Sequence, residues 1–436
     1  MIVTKFGGSS LADSAQFEKV KNIIQSDARR TVVVVSAPGK KKSGDNKITD
    51  LLYTLGGHLK YGVPDETLFA AIKDRLVEIK TALSLDYDVG AELDELASTF
   101  GKNTDQSFLV SRGEYFSAKL MASFLGYTFV DAAEVIKFDF DGTINEKESA
   151  RLIKSAYDKY GKIVVPGFYG AYPNGDVNLF SRGGSDITGA YLARFLEAEI
   201  YENWTDVSGI FTADPRIVAL PKSIARITYE ELRELSYMGA NVQHEDSVLP
   251  VQEAGIDINI LNTEKPGDRG TIITREAGSG PFVTGIAGKK GFVSFNIHKK
   301  HMSGEIGFLR KVLSVFEKYS VSIEHTPSGM DVISVIVEEA KLKNTTYPII
   351  SEIETALGAS VTLERGLSLI AVVGRNMAGK VGICSSMFGI LGKSGVNIRL
   401  LAQAPDELTI IVGVAEVDHE KAILCLYEGL RGENLL

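Results

Sequence analysis

Two short runs in this sequence pair a cation with two adjacent glycines and a serine. The first is Lys5-Phe6-Gly7-Gly8-Ser9-Ser10, directly after an opening apolar stretch. Paired glycines let a backbone come close to an anion, and the N–H groups of a tight turn form a nest for one. A lysine at a strand end supplies the point charge that a transferring phosphoryl group requires. Read alone, this fragment is better explained as a plain turn. No G-x-x-x-x-G-K-[ST] loop occurs, so any phosphate chemistry here is not that of a Walker A site.

The second run is Ser181-Arg182-Gly183-Gly184-Ser185-Asp186, opening a helical pattern with Ile187, Tyr191 and Phe195 on its apolar stripe. Ser185 or Asp186 would serve as an N-cap. A cap needs neither two glycines nor an arginine, whereas a planar guanidinium suits a carboxylate and a helix N-terminus favours an anion. Asp186 is placed to organise a lysine or an Mg²⁺ ion. Further along, Trp204-Thr205-Asp206 and Asp214-Pro215-Arg216 read as ligand contacts beyond a strand end or as turn formers. Ser111-Arg112-Gly113-Glu114 begins a helical pattern, where Glu114 suits the helix dipole or an ammonium group. Ser36 and Thr49 add hydroxyl groups on loops.

These groups need a scaffold, and the pattern supplies one. Thr31–Ser36 and Lys162–Pro166 are apolar runs of the kind buried on both faces of a parallel sheet, and Glu199–Trp204 is a third strand. Helical patterns lie between them; one, with Phe116, Leu120, Phe124 and Leu125, stops at Gly126. The expectation is an α/β fold with a mainly parallel sheet flanked by helices. Lys47 to about Phe100 reads as a helical insertion, a lid beside the sheet. After the linker Glu276–Pro281 a strand–helix–strand–strand unit occurs twice, an α+β repeat. Its first copy takes strands at 321–323 and 332–337, its second at 368–374, 396–398 and 408–414.

With 436 residues, 44% hydrophobic and 24% charged, the chain suits two or three globular domains. A net charge of −9 argues against a non-specific nucleic-acid partner. Lys40-Lys41-Lys42 is a solvated loop or a phosphate contact. Two cysteines and six scattered histidines offer neither a disulfide framework nor a metal cluster. No apolar run reaches the ~20 residues of a membrane span, and no signal region precedes the first strand. A reducing, cytoplasmic location is expected.

Taken in order, KFGGSS, VVSAPG, ITDLL, SRGE, GFYG, SRGGSD, WTDVSGIFTADPR and DRGTII resemble the aspartate kinases of the amino-acid kinase superfamily, and the repeat is similar to their paired ACT domains. The resemblance covers essentially the whole chain. It implies a catalytic domain over 1–275 and a regulatory region over 282–436. The two ferredoxin-like ACT units would span about 291–360 and 361–436, with 282–290 joining the second. It implies that Lys5, Gly7, Gly8 and Ser9 face the ATP phosphates, and that Thr205, Asp206, Phe211, Asp214, Arg216, Asn241 and Val242 line the nucleotide site. Ser36, Thr49, Glu114, Phe168, Arg182, Gly183, Gly184 and Ser185 would bind L-aspartate, with Arg182 on the α-carboxylate and Glu114 on the ammonium. Lys5 and Asp186 would be catalytic, with ATP and Mg²⁺ required and no resident metal on the protein.

Phe211 stands where the family often has tyrosine, Asn241 where lysine is usual, and Glu245 follows His244 where proline is usual. The implied reaction is transfer of the γ-phosphate to the aspartate β-carboxylate, giving 4-phospho-L-aspartate, the first step towards lysine, threonine and methionine. Implied partners are a feedback amino acid, lysine ahead of threonine, and further copies of the chain in a homodimer or dimer of dimers through the ACT domains. Met302, Phe308, Leu309, Ile323 and Glu324 are effector candidates, ordinary core packing being the other account of the first four. A sensor with a degenerate kinase half, or a glutamate or nucleoside-monophosphate kinase, is the competing assignment. No G-x-G-x-x-G is present, so a fused dehydrogenase is not expected.

Overall fold

A computed structural model describes residues 1–42, 44–63, 65–180, 183–240 and 245–436, apart from the side chains of Glu245 and Asp246. The chain packs as two compact units. The first takes in Met1–Ile210, Ser223–Tyr229 and Val242–Ala277, and the second Phe211–Lys222, Glu230–Asn241 and Gly278–Leu436.

The first unit is built on eight strands: β1 (Ile2–Phe6), β2 (Arg30–Val35), β3 (Thr128–Phe129), β4 (Ile163–Pro166), β7 (Ile200–Thr205), β8 (Arg226–Thr228), β9 (Ile258–Asn262) and β10 (Thr271–Thr274). A small hairpin, β5 (Tyr169–Ala171) with β6 (Val177–Leu179), stands apart. Across the sheet the order is β3-β4-β2-β1-β7-β9-β10-β8. Every neighbouring pair is parallel except β9 with β10. The central strands are buried throughout, which is why they read as unbroken β-branched runs rather than alternating ones. Helices cover the sheet, and Gly126 ends the Gln106–Leu125 helix in the left-handed conformation at φ 68°.

The stretch expected to be a lid is part of the core. It forms helices Ile48–Lys60, Glu66–Ala82 and Val89–Ser98. Their Leu52, Leu55, Ile72, Leu76, Ile79 and Leu93 join the same hydrophobic cluster as Phe6, Phe17 and Leu120. That much buried apolar area anchors an element instead of freeing it to swing.

The second unit carries one antiparallel sheet of five strands: β11 (Gly285–His298), β12 (Val332–Glu338), β13 (Ser360–Val373), β14 (Leu400–Gln403) and β15 (Thr409–Ala415), in the order β12-β11-β13-β15-β14. Strands β11 and β13 are each 14 residues long and pair along their length, with register shifts between Lys290 and Ser294. Gly285–Lys290 thus lies against Ser368–Val373, while Phe292–His298 lies against Ser360–Leu367 and β12. Two of the expected strands differ. Residues 321–323 lie outside any named strand; the nearby pairing is limited to isolated bridges such as His325 with Ile336, and Pro327 in this segment lacks the N–H a ladder needs. Val396 closes the preceding helix through a bond to the Leu391 carbonyl, so the strand begins later, at Leu400.

Beneath the sheet, Phe308, Val312, Phe316, Ile349 and Ile353 fill one core, and Met387, Leu391, Ile423, Leu426 and Leu430 another. Glu231 is fully buried in this unit. It accepts from Arg375 Nη1, which reaches both carboxylate oxygens at 2.8–3.0 Å, and from the Thr284 hydroxyl at 2.6 Å. Arg375→Ala removes a charge-assisted contact from that buried carboxylate, so urea unfolding of this unit should lose about 3–5 kcal/mol; an unchanged midpoint would show that the contact is dispensable.

Candidate active site

The C-terminal ends of β1, β2, β4 and β7 lie side by side, where an open α/β sheet holds its ligands. Strand register sets Lys5 directly beside Asn203. The Lys5 ammonium meets Asp186 Oδ1 at 2.5 Å and Asn203 Oδ1 at 3.4 Å, and the Asn203 amide donates to the same Asp186 oxygen at 3.0 Å. The lysine side chain is 9% exposed and the aspartate 19%. Asp186 sits in the first turn of the Gly184–Phe195 helix, and the buried Tyr201 hydroxyl donates to its carbonyl at 3.2 Å. Two side chains, Asn203 from the neighbouring strand and Asp186 from a helix, therefore hold the Lys5 cation at the strand ends.

Gly8 is needed for space, since a Cβ there would sit 2.8 Å from the Ala37 carbonyl. Gly7 donates to the Trp204 carbonyl, and a Cβ on it would make only ordinary contact with the Lys5 ammonium. Gly39 donates to the Gly8 carbonyl at 2.7 Å, and a Cβ on Gly39 would sit 2.5 Å from that carbonyl. The turns after β1 and β2 thus pack backbone on backbone, leaving Ser9 exposed in the short Gly8–Leu11 turn. Arg75, on the Glu66–Ala82 helix, locks the second turn by donating to the Gly39 and Asn46 carbonyls while pairing with Asp45. Lys41 of the basic run forms an ion pair with Glu78 and Lys42 is exposed, which fits the solvated-loop account.

A second group of predicted residues lies on the neighbouring elements. Ser36 follows β2 with its N–H on the Phe6 carbonyl, and Thr49 is the second residue of the Ile48–Lys60 helix. Glu114 lies on the Gln106–Leu125 helix, brought close because Gly113 has no side chain to strike Ala37. Burial pushes the Glu114 carboxyl up to about 8 despite the Ala37 N–H that donates to it. Its Oε2 has no hydrogen-bond partner among the described residues. Arg112 is turned away, its guanidinium over the rings of Phe108 and Tyr115 at 4.6 and 4.3 Å. Phe168 follows β4 at φ +79°, and Gly184 lies against its ring, where a Cβ would come within 2.5 Å. Gly183 is left-handed at φ +77°, and Ser185 is buried against Gly167.

Arg182, Asn241 and Val242 lie outside the described residues. Thr205 ends β7 and Asp206 is exposed beside it. The DRGT segment supports this edge: Ser208 donates to Asp268 at 2.6 Å, and Thr271 Oγ1 accepts the Ile210 N–H. Phe211, Asp214 and Arg216 belong to the second unit, where Asp214 and the exposed Arg216 pair at 2.6 Å and Arg216 holds the Asp214 carboxyl below the usual carboxylate range. Of the effector candidates, Met302 and Phe308 are core residues, in keeping with the packing account, while Leu309 is 43% exposed and Ile323 half-buried. The Glu324 side chain is already engaged by Tyr237 and by Lys341 at 3.0 Å.

Asn203, Gly39, Arg75 and Thr188 were not singled out from sequence. For Asn203 a signal existed: a polar side chain at a buried position of a central strand, one residue before Trp204.

Residues 1–262 match the amino acid kinase family and residues 370–430 an ACT domain. Aspartokinase 3 of Bacillus subtilis (strain 168) is 38% identical over 447 residues, covering 98% of each chain. The structure of Clostridium acetobutylicum aspartate kinase superposes with a TM-score of 0.90 at 46% identity, over 98% of this chain and 99% of that one. E. coli aspartokinase III, 25% identical, matches in its complex with aspartate and ADP (TM-score 0.76; 99% and 100% of the two chains) and in its complex with lysine and aspartate (0.75; 99% of each). The chain belongs to the amino acid kinase family and, within it, to the aspartokinases.

Proposed function

We propose that this chain transfers the γ-phosphate of ATP to the β-carboxylate of L-aspartate, giving 4-phospho-L-aspartate, under feedback control by an amino acid. The observation that carries it is the Lys5–Asp186–Asn203 triangle beside the Gly7-Gly8 turn. The aspartate β-carboxylate, with an ordinary pKa of about 3.9, is ionised near neutrality and needs no general base. The obstacle is repulsion between two anions, so the work is positioning and positive charge. Lys5 supplies a fixed ammonium, and in the turn opened by Gly7 the backbone N–H groups of Gly8 and Ser9 cradle the phosphates. Asp186, a partly open carboxylate with no second acidic ligand required, suits an Mg²⁺ carried in on the nucleotide, which would neutralise phosphate charge.

In the substrate pocket, Ser36, Thr49, Phe168 and Gly183–Ser185 surround the amino acid, with Arg182 assigned to its α-carboxylate. Glu114 takes the ammonium, its unpartnered oxygen supporting that role. Thr205 and Asp206 are assigned to the nucleotide. We assign 1–275 to catalysis and 282–436 to two ACT domains that bind the effector and join subunits. Lysine precedes threonine as effector because E. coli aspartokinase III is known in complex with lysine. With Glu324 occupied, the exposed Asp331 is the more open acidic group for its ammonium. The sensor-only alternative is disfavoured by the intact triangle.

Three outcomes follow. Lys5→Met should lower kcat by at least a thousandfold while ATP binding, followed by calorimetry, weakens modestly; near-normal turnover would remove Lys5 from the chemistry. The ammonium requires ionised Glu114, and the empty site holds its proton up to about pH 8. The aspartate KM should therefore fall as pH rises from 6 to 8, and Glu114→Gln should raise KM and abolish the trend. A pH-independent KM in the wild type contradicts the ammonium assignment. Lysine, titrated against initial rate and melting temperature, should change both; if neither lysine nor threonine does, the ACT pair senses something else.

A further inference from the structure

We infer that Thr188 is a positioning residue for the amino-acid substrate, its one hydroxyl fastening the strained Phe168 backbone to the first turn of the Gly184–Phe195 helix. The inference rests on the substrate pocket proposed above and extends it to a residue that touches no substrate.

Thr188 is fully buried. Its Oγ1 accepts the Phe168 N–H at 3.0 Å and donates to the Gly184 carbonyl at 2.9 Å. One atom thereby joins the turn after β4 to the helix whose N-terminus faces the pocket. Phe168 needs such a fastening. It is a non-glycine residue at φ +79°, a conformation that persists only where surroundings over-determine it. Its carbonyl is held by the Phe180 N–H at 2.9 Å, so Thr188 fixes the N–H and Phe180 the carbonyl of the same residue. The ring is then pressed against Gly184, where no Cβ fits, and Gly167 is equally close to Ser185. A threonine side chain in a helix commonly donates to the carbonyl four residues earlier. Local helix geometry explains that bond but not the second, across to Phe168.

With the hydroxyl removed, the Phe168 N–H is buried without an acceptor and the left-handed turn loses its tie. The Phe168 ring, which forms one wall of the pocket, then relaxes away from Gly184. That wall is displaced, while Lys5, Gly7 and Gly8, which Thr188 does not bond, stay in place. Aspartate recognition should suffer, and the nucleotide should not notice.

The test uses the full-length enzyme with aspartate, ATP and glutamate varied in turn, for wild type, Thr188→Ser, Thr188→Val and Thr188→Ala. The Val and Ala variants should raise the aspartate KM at least tenfold and reduce the preference for aspartate over glutamate at least fivefold. The ATP KM should stay within twofold, and Thr188→Ser should restore the wild-type values to within twofold. Using two hydroxyl-free variants of different size guards against one failing to fold. An unchanged aspartate KM in either folded variant overturns the inference, as does a parallel rise in the ATP KM or a Thr188→Ser variant as impaired as Thr188→Val. Wild-type enzyme that leaves aspartate unphosphorylated would instead remove the substrate reading itself.

Discussion

A primary ammonium held in a nearly closed cleft needs a counter-charge and a neutral acceptor, and Asp186 and Asn203 supply both to Lys5. A pair of this kind contributes little net stability, because desolvation offsets much of the attraction. Its value is that the cation is already oriented before any anion arrives, so no reorganisation is required when phosphate charge develops. The neighbouring architecture makes sense as support for that arrangement. Two parallel strands place Lys5 and Asn203 in register, and a helix N-terminus delivers Asp186 from the side.

The same economy of space governs the turns around it. Gly8 and Gly39 touch through their backbones, Gly113 admits Ala37, Gly167 admits Ser185, and Gly184 admits the Phe168 ring. In each case a methyl group would occupy the room through which two elements meet. These close approaches set the spacing between the strand that carries Lys5 and the helices that carry Asp186 and Glu114. Arg75 extends the arrangement outward, coupling a helix far along the sequence to the turn after β2.

Much of this was legible beforehand because the central strands are buried on both faces and so announce themselves as β-branched runs, as at Val32–Val35 and Ile163–Val165. Lys5 and Asp186 stood out because two cation-glycine-glycine-serine segments recur in one chain, and the structure unites their charges. What was missed is non-local. Asn203 matters only through strand register, Gly39 only through the proximity of another turn, and Thr188 only through a bond to a residue 20 positions earlier. The lid expectation failed because helical periodicity reports that a face is apolar, not which cluster receives it; Leu52, Leu76 and Leu93 found the main core. The strand expected at 396–398 slipped to Leu400–Gln403 because Val396 is spent on closing a helix.

The length of β11 and β13 has a mechanical consequence. Because both strands run without a chain break through the two halves of the five-stranded sheet, the halves share a continuous ladder and cannot rotate as separate bodies. Torque applied on one side travels along covalent backbone into the other. The register slips between Lys290 and Ser294 mark the seam of that ladder, with the Met387 and Ile423 core on one side and the Phe316 core on the other.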